Sequence, residues 1–164
     1  NKSLRQIISQ ELKRQQEIQQ NLKQPERQLD HLHVLIAEDN QLGQKVIHGM
    51  MQKLGVNHTI VNNGQEAVQA VMNNKFDIIL MDCDMPIMDG VATMKQLQTK
   101  HPERKVIVLS QHNDNCLIAE FEKMGARGYV SKDEAMGDME QFAKVIEKIK
   151  QGKKHIIKKN YVKY

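Results

Sequence analysis

One stretch, residues 78–90, constrains the fold of this chain more than any other. Residues 78–81 are all apolar and end abruptly at Asp82; a second acid, a proline and an Asp-Gly pair then follow. A continuous apolar run bounded by turn residues is typical of a buried strand in a parallel sheet. Open α/β sheets keep their ligand sites at the carboxyl ends of such strands. We therefore expect Asp82 to lie in a functional site at the end of a central strand.

Strand and helix patterns alternate throughout residues 31–151, which we interpret as one domain. The predicted strands cover residues 33–37, 58–61, 76–81, 105–109 and 128–130. The predicted helices cover residues 41–54, 65–73 and 90–100, a segment from Asn113 or Asp114 to residue 124, and residues 134–151. This alternation predicts an α/β fold with a five-stranded parallel sheet, helices on both faces and right-handed crossovers. Five such units favour the flavodoxin-like strand order 2-1-3-4-5.

The first 30 residues have a different character, because they are rich in Gln, Arg, Lys and Glu and contain no glycine. Four apolar residues fit the seam of a heptad repeat: Leu4, Ile8, Ile18 and Leu22. Glu11 and Gln15 occupy the intervening seam positions, and Pro25 is expected to end or kink the helix. Residues 1–30 are therefore predicted to form one helix. It is either a solvated linker packed loosely on the domain or a dimerisation helix.

The basic character of the chain is concentrated near its C-terminal end. The formal net charge is +4, and eight lysines fall between Lys144 and Lys163. Residues 152–164 are predicted to be a basic, solvated tail, too short for a helix-turn-helix domain that binds DNA. We therefore expect the output to pass through contact with a protein, or through a domain outside this sequence.

The cysteines and the apolar segments bear on the compartment. Cys83 and Cys116 show neither the spacing of a metal site nor a disulfide framework, which favours a reducing compartment. No apolar segment approaches the length needed to span a membrane, and no signal peptide opens the sequence. We therefore expect a cytoplasmic protein without a membrane span.

The predicted strand order brings polar side chains from four strands to one edge of the sheet. These side chains are Glu38, Asp39, Asp82, Ser110 and Lys132. Three carboxylates at one edge repel one another, which raises the pKa of at least one of them unless a cation compensates. Mg²⁺ prefers such oxygen ligands, so Asp39 and Asp82 are the expected direct ligands and Glu38 binds directly or through water. Lys132 supplies a second positive charge and Ser110 a hydrogen bond, a combination that favours an incoming phosphoryl group.

Two stretches carry a resemblance to a known family. Residues 34–40, Val-Leu-Ile-Ala-Glu-Asp-Asn, resemble the first strand and acidic pair of the receiver domains of two-component signalling. Residues 80–90 resemble the phosphoacceptor motif of that family, in which the acceptor lies four residues before the proline, and this identifies Asp82. Residues 38–55 look most like the receivers of hybrid histidine kinases, whereas residues 125–134 look like those of DNA-binding response regulators.

The resemblance implies a phosphorylation-controlled switch in a phosphorelay rather than a conventional enzyme. The phosphoryl donor would be a histidine kinase or a histidine phosphotransfer protein, and Mg²⁺ would be held in part by the backbone carbonyl of Asp84. Ser110 matches the switch Ser/Thr of the family, Tyr129 the switch aromatic residue and Lys132 the lysine of the motif. On phosphorylation of Asp82, Ser110 would move toward the phosphoryl group and Tyr129 would turn inward. The surface of the fourth helix, fifth strand and fifth helix would then change partners or form a homodimer.

Three positions depart from the family pattern. Gln111 follows the switch serine where a small residue is usual, Asp133 follows Lys132 where proline is common, and Asp84 adds an acid two residues past the acceptor. We expect Gln111 and Asp84 to alter the lifetime of the phosphoryl group, and the usual cis peptide before residue 133 is in doubt. A second hypothesis stays open, in which the domain is a protein-interaction or dimerisation module that works without phosphorylation. A flavin- or nucleotide-binding protein of the same fold is disfavoured, because the acids at residues 38–39 would repel a phosphate.

Overall fold

The parallel strands of this chain form a single central sheet. The structure is a computed structural model that describes residues 3–27, 29–85, 88–111 and 115–156. The strands are β1 (His33–Ala37), β2 (Asn57–Val61), β3 (Ile78–Asp82), β4 (Val106–Ser110), β5 (Gly128–Ser131) and β6 (His155–Ile156). The helices are α1 (Leu4–Arg27), α2 (Gln41–Lys53), α3 (Gly64–Asn73), α4 (Gly90–Lys100), α5 (Asn115–Lys123), α6 (Lys132–Gly137) and α7 (Met139–Lys150). The strand order is β2-β1-β3-β4-β5-β6, so the predicted order of the first five strands is confirmed.

Two apolar layers flank the sheet, because successive residues of each buried strand point to opposite faces. In β3, Ile78 and Leu80 pack in the layer beneath α2, α6 and α7. Ile79 and Met81 pack in the other layer, beneath α3, α4 and α5. Every residue of β3 and β4 is buried, which explains why both strands read as continuous apolar runs. The predicted helices on both faces are therefore confirmed.

Polar caps start helices α2 and α4, which follow β1 and β3 at the carboxyl edge of the sheet. The Asn40 side chain accepts hydrogen bonds from the backbone N–H groups of Leu42 and Gly43, and α2 begins at Gln41. Asp89 accepts from the backbone of Ala92 at 2.8 Å and starts α4 in the same way. A side-chain oxygen at this position satisfies N–H groups that the first turn of a helix leaves unpaired. The caps therefore fix where α2 and α4 begin at the edge of the sheet that carries Asp82.

The single helix predicted over residues 134–151 is wrong in one respect, since the segment is two helices. Ser131 accepts a hydrogen bond from the backbone N–H of Glu134 and starts α6 earlier than predicted. Asp138 accepts from the backbone N–H of Gln141 and starts α7. Gly137, a weak helix former, precedes the second cap. The apolar spacing runs smoothly across the junction, so periodicity alone gave no sign of the break.

A sixth strand extends the sheet beyond the five that were predicted. The backbone N–H of His155 donates to the carbonyl of Arg127 at 2.8 Å, and Ile156 lies opposite Tyr129 in a parallel pairing. The expectation of a solvated tail is therefore wrong for residues 155–156. Residues 157–164 lie outside the described part of the chain.

Helix α1 projects away from the sheet rather than packing on it. It ends at Arg27, two residues beyond Pro25, and the side chains of residues 3–20 are all exposed. This exposure argues against a linker helix packed on the domain. Leu29 and Leu32, just after the helix, are only 2% and 0% exposed and join the apolar layer beneath α2. None of the described helices is long and apolar enough to cross a lipid bilayer.

Candidate functional site

Three carboxylates converge where β1 and β3 end. Ala37 pairs with Met81 in the parallel register. The residues that follow them, Glu38 and Asp82, therefore lie side by side at the carboxyl ends of the two strands. One carboxylate oxygen from each of Glu38, Asp39 and Asp82 lies within 4.8 Å of the others. Glu38 and Asp82 are buried and Asp39 is exposed. The structure thus brings together the acidic residues that the strand order predicted to converge.

Lys132, the first residue of α6 directly after β5, contacts two of these carboxylates. Its Nζ lies 3.0 Å from Oε2 of Glu38 and 3.1 Å from Oδ2 of Asp82. Burial lowers the pKa of Lys132, but the hydrogen bonds and negative charges of Glu38 and Asp82 outweigh this effect and raise the pKa. The ammonium group therefore stays charged while it bridges the two acids.

The electrostatics of Asp82 reflect a crowded, buried acid. Burial, followed by the negative charge of Glu38, raises the pKa of Asp82 to about 6. The charge and hydrogen bond of Lys132 oppose this shift, as does the backbone N–H of Asp84, which donates to Oδ1 of Asp82 at 3.2 Å. One lysine does not fully compensate the three acids. The donor set consists of carboxylate oxygens only, which fits a hard divalent cation such as Mg²⁺.

The first turn of α2 fixes the position of Glu38, and sequence reasoning missed this contribution. The backbone N–H of Asn40 donates to Oε1 of Glu38 at 3.1 Å, and the Gln44 side chain donates to the Glu38 carbonyl at 2.6 Å. A Cβ on Gly43 would lie 2.9 Å from Cδ of Glu38, so only glycine leaves room for the acid there. A glycine inside the first turn of a helix, where it serves no cap, was the signal available in the sequence.

Ser110 is fully buried at the end of β4 and contacts a residue to which the sequence gave no role. Its hydroxyl is hydrogen-bonded to the Cys83 side chain, directly after Asp82. Burial, and then the nearby charge of Asp84, raises the pKa of Cys83 to about 11. The thiol is therefore protonated at neutral pH and is a poor nucleophile. Cys83 and Ser110 form a neutral pair beneath the acidic site.

The remaining predicted residues surround this centre at different depths. Tyr129 is buried, and its ring packs against Phe121 with the ring centroids 6.1 Å apart. Gln111 is exposed immediately after β4, and Asp84 is exposed above Asp82. Within the described part of the chain no peptide bond is cis, so the bond between Lys132 and residue 133 is trans.

Comparison with known protein families agrees with this geometry. The family model of the response regulator receiver domain matches residues 34–144. The transcriptional regulatory protein ZraR of Escherichia coli (strain K12) is 27% identical over 103 residues, which are 63% of this chain and 23% of ZraR. Two-component response regulator 24 of Arabidopsis thaliana is 30% identical over 102 residues, which are 62% of this chain and 73% of that protein. The chain thus spans less than a quarter of ZraR and most of the Arabidopsis relative.

Solved structures share the fold. The receiver domain of the Francisella response regulator 1452 is 25% identical with a TM-score of 0.63, over 73% of this chain and 98% of that one. The receiver domain of the Pseudomonas aeruginosa sensor histidine kinase PA1611 is 25% identical with a TM-score of 0.62, over 69% and 94%. The latter structure has a magnesium ion coordinated in its active site cleft. This chain belongs to the response regulator receiver domain family of two-component signalling.

Proposed function

We propose that the chain is a phosphorylation-controlled switch in which Asp82 accepts a phosphoryl group from a phosphohistidine. The observation that carries this proposal is the bridge of Lys132 between Glu38 and Asp82 beside the third carboxylate, Asp39. A structural ion pair needs one acid for each base, whereas here two acids contact one lysine and a third, Asp39, lies beside them. The excess negative charge suits a site that binds a cation before it receives a phosphoryl group. The family is one of signalling switches rather than conventional enzymes.

The metal of this site is proposed to be Mg²⁺. Asp39, Asp82 and the backbone carbonyl of Asp84 would hold it, with Glu38 as a ligand directly or through water. When bound, the metal supplies positive charge that offsets the charge of the phosphoryl oxygens. Support comes from the three oxygen donors within 4.8 Å and from the magnesium ion in the PA1611 receiver.

The chemical step requires an ionised Asp82 and a nearby positive charge. An Oδ atom of Asp82 attacks phosphorus and forms a P–O bond, while the P–N bond to the donor histidine breaks and its electron pair stays on the imidazole. Lys132, 3.1 Å from Asp82, turns from a carboxylate oxygen to a phosphoryl oxygen as that charge arrives. Glu38 keeps the ammonium group at the site throughout, through its 3.0 Å contact.

The switch is proposed to begin at Ser110. Its hydroxyl leaves the Cys83 side chain and donates to a phosphoryl oxygen, which is a stronger acceptor than sulfur. Tyr129 lies on the neighbouring strand with its ring against Phe121 of α5, so a shift of β4 reaches the surface formed by α5, β5 and α7. Strand β6 pairs with β5 on the same surface, and Ile156 therefore belongs to the proposed output face.

The donor is proposed to be a histidine kinase or a histidine phosphotransfer protein. The helices α2 and α6, which pack on the same face of the sheet, each expose apolar side chains. These are Leu42 at 71% and Val46 at 37% exposure on α2, and Met136 at 39% on α6. A structural neighbour of this chain, the receiver domain of yeast Ssk1, was crystallised with the phosphotransfer protein Ypd1. We propose that these exposed apolar side chains, on the helices that follow β1 and β5, dock the donor.

Phosphorylation by acetyl phosphate tests the proposed function. With Mg²⁺, the intact mass of the wild type should increase by one phosphoryl group, and Asp82→Asn should show no increase. Asp84→Asn is the matched control, since its exposed side chain is not the proposed acceptor, and it should still be phosphorylated. Equal incorporation by the wild type and Asp82→Asn, or none by the wild type, would contradict the proposal. The second result would favour the module that works without phosphorylation.

The phosphoryl lifetime is proposed to depend on Gln111 and Asp84, which are both exposed next to the acceptor. An exposed amide and an exposed carboxylate at these positions can each contact the water that hydrolyses the phosphoaspartate. Dephosphorylation rates of Gln111→Ala and Asp84→Asn, compared with the wild type, test this role. Unchanged rates in both variants would show that neither side chain modulates the lifetime.

A further inference from the structure

Helix α1 exposes an apolar surface that its own chain does not cover. The side chains of residues 3–20 are all exposed, and five of them are large and apolar: Leu4 at 73%, Ile7 at 51%, Ile8 at 51%, Leu12 at 59% and Ile18 at 43% exposure. A single helix of this length and polarity is marginal in water without tertiary packing. The helix therefore requires a partner that covers this surface.

The apolar side chains lie on one side of the helix. At about 3.6 residues per turn, Leu4, Ile8 and Ile18 follow a heptad seam, with Glu11 and Gln15 between them. Ile7 and Leu12 flank the seam and widen its N-terminal half. The opposite side carries Lys13 and other polar residues. This is the pattern of a helix that pairs with another helix, rather than one that lies on a broad apolar surface.

The two polar seam residues are satisfied within the helix itself. The amide of Gln15 donates to Oε1 of Glu11 at 3.1 Å, and a guanidinium nitrogen of Arg14 lies 4.0 Å from Oε2 of Glu11. Glu11 therefore has hydrogen-bonding and charge partners that do not depend on water in the seam. A polar pair in an otherwise apolar seam weakens a coiled coil but fixes its register.

We propose that α1 pairs with α1 of a second copy of this chain as a parallel, in-register coiled coil. In that arrangement Leu4, Ile8 and Ile18 each meet their own counterpart. Ile7 of one copy flanks Leu12 of the other. One heptad further along, Arg14 of one copy flanks Gln19 of the other. Neither the contact of Ile7 with Leu12 nor that of Arg14 with Gln19 therefore brings like charges together. The sequence of α1 is thus complementary to itself in apolar surface, whereas Glu11 meets its own counterpart in the seam, so its charge opposes the pairing and limits the strength of the dimer.

The attachment of α1 leaves the phosphoacceptor edge open in such a dimer. Leu29 and Leu32 anchor the chain in the apolar layer immediately before His33, the first residue of β1. The helix therefore joins the sheet at the amino end of β1, whereas Asp82 lies at the carboxyl end of the neighbouring strand β3. Pairing through α1 does not depend on phosphorylation and does not compete with a phosphoryl donor for Asp82.

Sedimentation velocity of the full chain over a range of concentrations tests the pairing. The wild type should form a dimer. Ile8→Lys, which places a charge in the seam, should weaken association at least about tenfold, because a charged side chain is costly there. Gln20→Lys adds the same charge on the opposite side of the helix and should leave association unchanged. The double variant Glu11→Leu with Gln15→Leu should tighten association at least about tenfold, because it makes the seam continuously apolar.

Three results would overturn the proposal. The first is a monomer at all concentrations for both the wild type and the double Leu variant, which would show that α1 binds some other partner. The second is an equal effect of Ile8→Lys and Gln20→Lys on association. The third is a trimer in place of a dimer. Folding of each variant is checked by its far-ultraviolet circular dichroism and by phosphorylation from acetyl phosphate, which the α1 variants should retain.

Disulfide cross-linking tests the parallel orientation. In a Cys116→Ser background, which removes the exposed native cysteine, Leu4→Cys should oxidise rapidly to a covalent dimer. Equivalent seam residues face each other in a parallel pair, within the range that a disulfide can bridge. Lys13→Cys, on the opposite side of α1, should cross-link slowly. Slow cross-linking of Leu4→Cys in a protein that still forms dimers would overturn the parallel arrangement.

Discussion

The carboxyl edge of the sheet and helix α1 differ in the kind of group that each leaves for a ligand or partner to cover. At the sheet edge, buried negative charge exceeds the positive charge that Lys132 supplies. On α1, apolar side chains are exposed with nothing to cover them. In the first region, backbone hydrogen bonds and the contacts of Lys132 hold Glu38 and Asp82 in place. The second is held to the domain only through the residues that follow it.

This difference teaches how each region depends on what it binds. The sheet edge folds with the rest of the core and is ready for a cation and a phosphoryl group, so binding there adjusts a preformed site. Helix α1 makes few contacts of its own, so binding of a partner and stability of the helix are coupled. Substitutions at the sheet edge should therefore change the stability of the domain, and substitutions on α1 should change association.

The largest effect should come from removing the bridging lysine. Lys132→Ala leaves Glu38 and Asp82 buried without their cation, and we expect it to lower the free energy of unfolding by about 3–5 kcal/mol without metal. Added Mg²⁺ should recover part of this loss, because it restores positive charge at the site. Denaturant unfolding with and without Mg²⁺ measures both effects. Lys100→Ala, at the exposed end of α4, is the control and should change the stability little.

Removing the charge of the acceptor should have a smaller and opposite effect. The pKa of Asp82 is raised from 3.8 to about 6, so the folded protein binds this proton more tightly than the unfolded chain does. The wild type therefore loses stability from this group as the pH rises from about 4 to 6, by up to about 3 kcal/mol at about 1.4 kcal/mol per pKa unit. Asp82→Asn cannot ionise and should be more stable than the wild type above pH 6 in the absence of metal.

Unfolding curves in EDTA at several pH values measure the difference in free energy of unfolding between Asp82→Asn and the wild type. This difference should shrink as the pH falls from 6 and vanish near pH 4. Asp84→Asn, whose exposed side chain is not among the causes of the Asp82 shift, should follow the wild type. A constant difference between Asp82→Asn and the wild type at every pH would show that a lost contact, rather than the charge, is responsible.

The sequence was sufficient to predict the sheet edge but not its supports. Strand periodicity and turn residues located the carboxyl ends of β1, β3, β4 and β5 to within one residue. Alternation predicted the parallel sheet, and the count of five strand–helix units favoured its flavodoxin-like order. The bond between Ser110 and Cys83 was missed because Cys83 reads as one more apolar residue after the strand. The role of Gly43 was missed because a glycine in the first turn of a helix signals a need for space but does not identify the side chain that occupies the space.

The C-terminal part of the chain shows the same limit more clearly. Strand β6 has only two residues, too few for any periodic pattern, and its pairing depends on the edge that β5 leaves open. The division of the last helix depends on two caps, Ser131 and Asp138, within a segment whose apolar spacing continues unbroken. Local patterns predicted the elements, whereas contacts between distant residues decided where the elements ended.

Crowding Glu38 should perturb the sheet edge to an intermediate degree. Gly43→Ala places a Cβ 2.9 Å from Cδ of Glu38, so the acid must shift, and we expect a loss of about 1–3 kcal/mol. The shift should also weaken the contact of Lys132 with Glu38 and slow phosphorylation by acetyl phosphate. Gly49→Ala, in the same helix, meets no atom within 4 Å and should raise the stability by about 0.5–1 kcal/mol. Similar results for the two variants would refute the positioning role of Gly43.

The smallest effect should come from an apolar residue of α1. Ile8 is 51% exposed and lies in the part of the helix that projects from the domain, so Ile8→Ala should change the free energy of unfolding of the monomer by less than about 0.5 kcal/mol. The measurement is chemical denaturation at a protein concentration below the dissociation constant of the dimer. At higher concentrations the same substitution should lower the denaturation midpoint relative to the wild type, because a dimer stabilises the folded state by mass action. A large loss at low concentration would place Ile8 in the core of the domain and remove the contrast between α1 and the sheet edge.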